Sequence, residues 1–278
     1  MGDDMQFDPK KIYWQAHRGG GKCEAPDNTL YAMEYGWSLG GIPEADIRVT
    51  ADHEVVCLHD NTLKRTTDAP PELAELPIGE LTLAQVRQYD AGKKFRADCA
   101  GQHVPTVREV FERMRRDPEK LLYADIKNYD EKLFPILLDK FLSLAREYDV
   151  ASQIIVAGRD YALNCRFKEL CPELKTMQWI GKTPAERMDI FRGLAARDFF
   201  GLDLVQLHLY AAEGASGWMY DLPLDDLREA FDTLGTRLEV FPFGAFTTEA
   251  IKTLLDIGIR QFATDEPRRF SRILAVLA

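Results

Sequence analysis

A chain of 278 residues with 46% apolar side chains can bury a substantial core, and its length fits either one α/β barrel or two ordinary domains. The net charge of −10, with 35 basic residues dispersed among 45 acidic ones, leaves no basic stripe for a nucleic-acid backbone and argues against nucleic acid as a partner. No run reaches the roughly 18 consecutive apolar residues of a bilayer span, so no stable membrane insertion is expected.

The first residues, MGDDMQFDPKK, lack a basic region followed by an apolar stretch, which predicts a cytoplasmic protein unless a leader has been removed. Apolar, β-branched stretches that end in a polar or charged residue then recur along the chain. They are IYWQAH (12–17), IPEADIRVT (42–50), EVVCLHD (54–60), LLYADIK (121–127), QIIVAG (153–158), LKTMQWIG (174–181), LDLVQLHL (202–209), LEVFPF (238–243) and RQFATDE (260–266). Most are separated by helical patterns, the alternation of a parallel sheet. Asn28 and Thr29 can cap a helix carrying Leu30, Met33 and Trp37 that stops at Gly40-Gly41. Thr247-Thr248 open another, with Ile251, Leu254 and Leu255 before Gly258.

Nine strands are one too many for an eightfold barrel. The ADHE link (51–54) accounts for the surplus: it is too short for a crossover and must make a hairpin. Residues 61–120 break the rhythm, with the proline- and acid-rich DAPPELAELPIGELT and a Gly/Lys/Asp-rich loop, and predict an inserted cap on one face. The expected fold is a TIM-type (β/α)8 barrel in a single domain over 1–278, with a small inserted cap after the His-Asp hairpin strand. Cys23, Cys57, Cys99, Cys165 and Cys171 are scattered and lack a C-x-x-C pair, so reduced structural thiols are expected.

The loop QAHRGGGKCEAPDNTL (15–30) is glycine-rich but matches neither a Walker A loop nor a Rossmann fingerprint. The strand ends are more informative, because in a β/α barrel they converge on one cleft. His17 and Arg18 end the first strand, Glu44 and Asp46 lie in the second, and Asp125 and Lys127 end LLYADIK. Residues two apart on a strand share a side, giving a carboxylate pair (Glu44, Asp46) and an acid–base pair (Asp125, Lys127). A hairpin turning on Asp52 and His53 sets His59 across from Asp46. Two bare carboxylates 4 Å apart repel by about 4 kcal/mol at an effective dielectric near 20, so crowded acids share protons or a cation. All-oxygen ligation suits a hard divalent ion, Mg²⁺ or Ca²⁺, with Glu44, Asp46 and Asp125 as ligands. The alternative is that these acids only pair with Arg18, Arg48 or Lys127.

The ordered set HRG, PDNT, E-A-D, LHDNTLKRTT, VPTVREV, D-I-K and ATDEP resembles the glycerophosphodiester phosphodiesterase family over nearly the whole chain. The resemblance implies a barrel with an insertion after the His-Asp strand. It also implies hydrolysis of a small-molecule glycerophosphodiester to an alcohol and glycerol 3-phosphate with a divalent cation. Carried over, it makes His17 and His59 the general acid and base, Arg18 and Lys127 phosphate contacts, and Glu44, Asp46 and Asp125 the cation's ligands. In the family mechanism the substrate's neighbouring hydroxyl attacks phosphorus to give a cyclic phosphate, and the absence of a G-x-S-x-G elbow fits a route without a protein nucleophile.

Asp27 and Asp125 stand where the family pattern has glutamate, and LEVFPFG departs from its V-W-x-V-N strand, so the leaving-group side of the pocket has no assignment. His208 reads equally as a cleft or a core residue, His53 and His103 as turn and loop residues, and Asp60 as support for the site. Trp179, Trp218 and Tyr220 read as packing ahead of substrate contact, Asn28 as a helix cap ahead of support for the site, and Glu109 as part of a helix start ahead of the metal shell. Competing readings are a lipid-directed phospholipase of related barrel type, which needs an apolar or basic rim, and a non-catalytic phosphodiester-binding barrel. The oligomeric state has no sequence signature.

Overall fold

The computed structural model describes residues 8–129, 131–212 and 218–277. Among them nine strands form one sheet: β1 (Tyr13–Ala16), β2 (Ile42–Val49), β3 (Val55–Cys57), β4 (Leu122–Ile126), β5 (Ile154–Gly158), β6 (Lys175–Ile180), β7 (Leu204–Tyr210), β8 (Leu238–Phe243) and β9 (Gln261–Thr264). All except β3 pair in parallel with their neighbours, and β9 pairs with β1, which pairs with β2, closing an eight-stranded barrel. The ninth strand, β3, lies antiparallel on the C-terminal half of β2, as the short hairpin link requires.

Alternation along each strand divides two environments. In β4, Leu122, Ala124 and Ile126 face the surrounding helices, while Tyr123 joins an inner cluster with Ile42, Ile155, Ala157, Met177 and Leu204. In β8, Leu238 and Val240 pack outward in the same way. The helices supply the outer shell. Thr29 caps Leu30–Ser38 by accepting from the Ala32 N–H at 3.2 Å, and Thr247 caps Thr248–Ile257, which ends at Gly258 with φ +114°. Of the two roles read for Asn28, capping falls to Thr29 and the Asn28 side chain is turned toward β2, on Asp46.

The inserted segment runs from the end of β3 to Thr106 and holds its own apolar cluster, in which Leu58, Leu63, Ile78, Leu81, Val86 and Val104 pack on Val56 of β3. The following helix, Val107–Met114, packs into the barrel's outer core instead. That helix starts with a capping box in which Glu109 accepts from the Thr106 N–H at 2.8 Å. Cys57, Cys99, Cys165 and Cys171 are free thiols, three of them buried, and no described helix is long and apolar enough to cross a membrane.

Candidate active site

The register of the parallel strands assembles the acids. β2 and β4 pair Glu44 with Tyr123 and Asp46 with Asp125, so Asp46 and Asp125 stand side by side and Glu44 lies two residues back on the same side. One oxygen from each of Glu44, Asp46 and Asp125 lies within 4.8 Å of the others. Glu44 and Asp46 have no solvent exposure. Lys127 follows β4 and brings its Nζ to 2.5 Å from Asp125 Oδ2 and 3.0 Å from Asp46 Oδ1. The second contact is an ion pair outside hydrogen-bond alignment, so Asp46 Oδ1 has no hydrogen-bond donor, and neither does Glu44 Oε1.

Burial, and then the charges of Asp46 and Asp125, push the Glu44 carboxyl well above its ordinary range. For Asp46 burial acts in the same direction but is overcome by Lys127, His59, Arg18 and His17, which hold it ionised. Lys127 is drawn upward against its own burial by the three carboxylates, so it stays an ammonium. Two buried carboxylate oxygens without donors, in an all-oxygen cluster crowded enough to disfavour ionisation of Glu44, fit a hard divalent cation.

The loop after β1 contributes the opposite kind of group. Arg18 adopts φ +56°, which aims its backbone N–H at Glu44 Oε2, 2.6 Å away. Its Nη1 donates to Asp27 at 2.9 Å, while its Nε is buried without a hydrogen-bond partner. Gly21, at φ +68°, runs so close to Asp265 that a Cβ there would stand 2.0 Å from the Asp265 carbonyl oxygen. Asp265 in turn accepts from His17 Nδ1 at 2.7 Å, so the glycine lets two segments 248 residues apart meet behind the histidine.

His59 Nδ1 donates to Asp60 at 2.7 Å, which leaves Nε2 as the free ring nitrogen, as the Asp265 contact does for His17. Burial lowers the proton affinity of His59, an effect opposed by Asp46 and Asp60 and reinforced by Arg18 and Lys127. His59 reaches the pocket by a route other than the one expected. β3 pairs Ile47 with Cys57 and Val49 with Val55, one residue out of the predicted register, because the turn includes His53 in the left-handed conformation (φ +62°). His59 therefore lies beyond the end of the ladder and not across from Asp46. Arg48 is not a partner of the acids either: its guanidinium donates twice to the His59 carbonyl.

One cavity of about 150 Å³ is lined by the charged and polar His17, Arg18, Glu44, His59, Asp125 and Lys127 together with Trp179, His208, Phe241 and Phe243. Trp179 lies over His208 with ring planes 11° apart and donates its Nε1 to Asp125 at 3.2 Å. His208 bridges the two readings offered for it: it lines the cleft and is held from below by Gln206, 2.9 Å from its Nε2. Burial lowers its pKa to about 3, so it is neutral. Phe241 packs edge-on against His17 at 5.0 Å between ring centres. Trp218 and Tyr220 are packing residues of the outer core, their polar tips donating to backbone carbonyls.

The sequence pattern of the Glycerophosphoryl diester phosphodiesterase family matches residues 17–269. The chain belongs to that family. A glycerophosphodiester phosphodiesterase from Caldanaerobacter subterraneus subsp. tengcongensis is 33% identical over 162 residues, covering 58% of this chain and 63% of that one. Human glycerophosphodiester phosphodiesterase 1 is 33% identical over 138 residues, covering 48% of this chain and 39% of that one. The chain thus spans less than two thirds of the length of these relatives. Among solved structures, a glycerophosphodiester phosphodiesterase from Agrobacterium tumefaciens superposes with a TM-score of 0.69 at 20% identity, covering 94% of this chain and 99% of that one. An Oleispira antarctica phosphodiesterase, solved with the product sn-glycerol-3-phosphate, superposes with a TM-score of 0.74 at 19% identity, covering 96% and 98%. Within the family pattern, the functions of two motif residues were not legible beforehand: Asp265 of ATDEP, which holds His17, and Arg65 of KRTT, which reaches Asp60 and Asp27.

Proposed function

We propose that this family member hydrolyses small glycerophosphodiesters to an alcohol and glycerol 3-phosphate, with a divalent cation, Mg²⁺ or Ca²⁺, at Glu44, Asp46 and Asp125. One observation carries the reading. A buried guanidinium nitrogen without a hydrogen-bond partner, Arg18 Nε, and a buried carboxylate oxygen without a donor, Glu44 Oε1, belong to residues that line the same pocket, and Asp46, whose buried Oδ1 also lacks a hydrogen-bond donor, belongs to the acid cluster that includes Glu44. Buried polar groups are ordinarily paired, so this combination calls for an anion and a cation together, as a phosphodiester with a metal ion provides. The likeness to a phosphodiesterase solved with sn-glycerol-3-phosphate supports the same class of ligand.

In this reading Arg18 and Lys127 bind the non-bridging phosphate oxygens, where negative charge builds up. A bound divalent cation adds Lewis-acid stabilisation of that charge. His59, whose proton affinity burial lowers, takes the proton from the substrate's neighbouring glycerol hydroxyl as its oxygen bonds to phosphorus. His17 gives a proton to the departing alcohol oxygen, leaving a cyclic phosphate. In the second half the two exchange roles: His17 takes a proton from water as its oxygen attacks phosphorus, and His59 returns one to the ring oxygen that is released. Asp60 and Asp265 fix the ring tautomers so that Nε2 does this work at both histidines. The aromatic residues of the lining, Trp179, Phe241 and Phe243, then receive the organic part of the diester. The chain acts as a single barrel domain with its insertion closing one rim.

The test is turnover of glycerophosphocholine, glycerophosphoethanolamine and a lysophospholipid with Mg²⁺, Ca²⁺ or chelator. Metal-dependent cleavage of the water-soluble diesters, lost in His17→Ala and His59→Ala, is expected. Activity that survives chelation refutes the metal's role, and preference for the lysophospholipid replaces the substrate class.

A further inference from the structure

Arg65 belongs to the insertion and does not line the pocket, yet its guanidinium is fixed between two residues that hold pocket side chains. Its Nε donates to Asp60 Oδ2 at 2.5 Å and its Nη1 to Asp27 Oδ2 at 2.7 Å. Asp60 Oδ1 accepts from His59 Nδ1 at 2.7 Å, and the same Asp27 oxygen accepts from Arg18 Nη1 at 2.9 Å. The result is an unbroken line from His59 through Asp60, Arg65 and Asp27 to Arg18. The peptide that presents Arg65 is itself anchored: Leu63 is buried in the insertion's core, and the buried Thr67 closes the turn by donating its N–H and its hydroxyl to the Leu63 carbonyl.

Stability is a poor explanation for this arrangement. Arg65 is 44% exposed, and exposed ion pairs contribute little. What the guanidinium supplies is geometry, because its planar fork can satisfy two carboxylates at a fixed angle, which an ammonium cannot. Asp27 is one methylene shorter than glutamate and accepts both arginines on one oxygen, so its rotamer is set by the pair.

We propose that Arg65 is a positioning residue for the phosphodiesterase reaction, holding the imidazole of His59 and the guanidinium of Arg18 in a common geometry, so that the inserted segment is part of the active site's framework. This rests on the hydrolytic reading above. A misplacement of about 1 Å in reacting groups costs on the order of 100-fold in rate, which sets the scale of the expected effect.

The experiment compares wild type with Arg65→Ala and Arg65→Lys, using glycerophosphocholine and a saturating divalent cation. Arg65→Ala is expected to lower kcat about 100-fold with a smaller change in KM, and added guanidinium is expected to restore part of that loss. Arg65→Lys should fall between the two. A kcat within about twofold of wild type, or a loss that guanidinium leaves untouched, overturns the proposal. A second readout does not depend on turnover: nitrogen NMR of the His59 ring at fixed pH. Wild type should show one tautomer, protonated at Nδ1, and Arg65→Ala a mixture. If wild type cleaves no glycerophosphodiester, the functional reading falls and the ring spectrum alone decides: a mixture in Arg65→Ala upholds the brace, an unchanged tautomer overturns it.

Discussion

Asn28 grips Asp46 at two points: its amide donates to Asp46 Oδ2 at 2.6 Å, and its carbonyl accepts from the Asp46 backbone N–H at 2.8 Å. A residue just outside a helix thereby fixes the rotamer of a fully buried carboxylate on the neighbouring strand. The left-handed φ of +58° that turns the side chain this way is one that asparagine tolerates and most residues do not. Removing a hydrogen bond to a charged group costs about 2 kcal/mol. Asn28→Gly, which keeps the backbone free to adopt this φ, should lose about that much in denaturant unfolding and weaken divalent-ion affinity. Asn28→Ala should lose more through added backbone strain, and equal stability of Asn28→Gly and wild type would remove the grip from the account.

A cation among Glu44, Asp46 and Asp125 binds only the folded chain, so it should stabilise by mass action. At a free concentration of about 100 times Kd the gain is about 2.7 kcal/mol. Thermal melting with increasing Mg²⁺ or Ca²⁺ should show a rise in Tm that disappears in Asp125→Asn and Glu44→Gln. A Tm insensitive to both ions in wild type would argue against the three acids as a cation site.

Glu239 faces the barrel interior with no solvent exposure, accepting from Tyr123 at 2.6 Å and from Gln206 at 2.5 Å. Burial, opposed by those two hydrogen bonds, raises its pKa from 4.5 to about 7. Between these values the unfolded chain has released the proton and the folded chain still holds it, so stability present at low pH is lost as pH rises from 4.5 through 7. The full loss is on the order of 3 kcal/mol. Glu239→Gln cannot ionise and should match wild type near pH 4 and exceed it at pH 8 in urea unfolding. A variant that declines with pH as steeply as wild type would assign the slope to other groups.

Gly21→Ala should damage catalysis out of proportion to its size. The added Cβ would meet the Asp265 carbonyl at 2.0 Å, forcing apart the two segments whose contact holds His17. We expect a loss of more than about 2 kcal/mol in stability, from the positive φ and the clash together, and a kcat reduced at least tenfold. Gly40→Ala is the control, since it shares a positive φ but a Cβ there meets nothing within 4 Å. If both variants lose kcat equally, the contact behind His17 is not what Gly21 provides.

Much of this molecule was legible in its sequence because the relevant signals are local. Alternation along LLYADIK or IPEADIRVT assigns each residue to a face by strand geometry alone, which places Glu44, Asp46 and Asp125 inside before any neighbour is known. The ADHE link is too short to cross a sheet, and that removes one strand from the barrel. Ordered motifs spread along the chain identify the family.

Tertiary structure decided what depends on register and on contacts between distant segments. The side-by-side placement of Asp46 and Asp125 follows from how two parallel strands slide past each other, which neither strand encodes by itself. A left-handed turn residue shifted the β2–β3 pairing by one position, enough to move His59 off the ladder. For Asn28 the sequence ranks capping ahead of site support because capping is a local role, whereas its partner is eighteen residues away. Asp265 and Arg65 had no assigned role for the same reason: each acts by holding another side chain, and a polar residue's partner is chosen by the folded geometry around it.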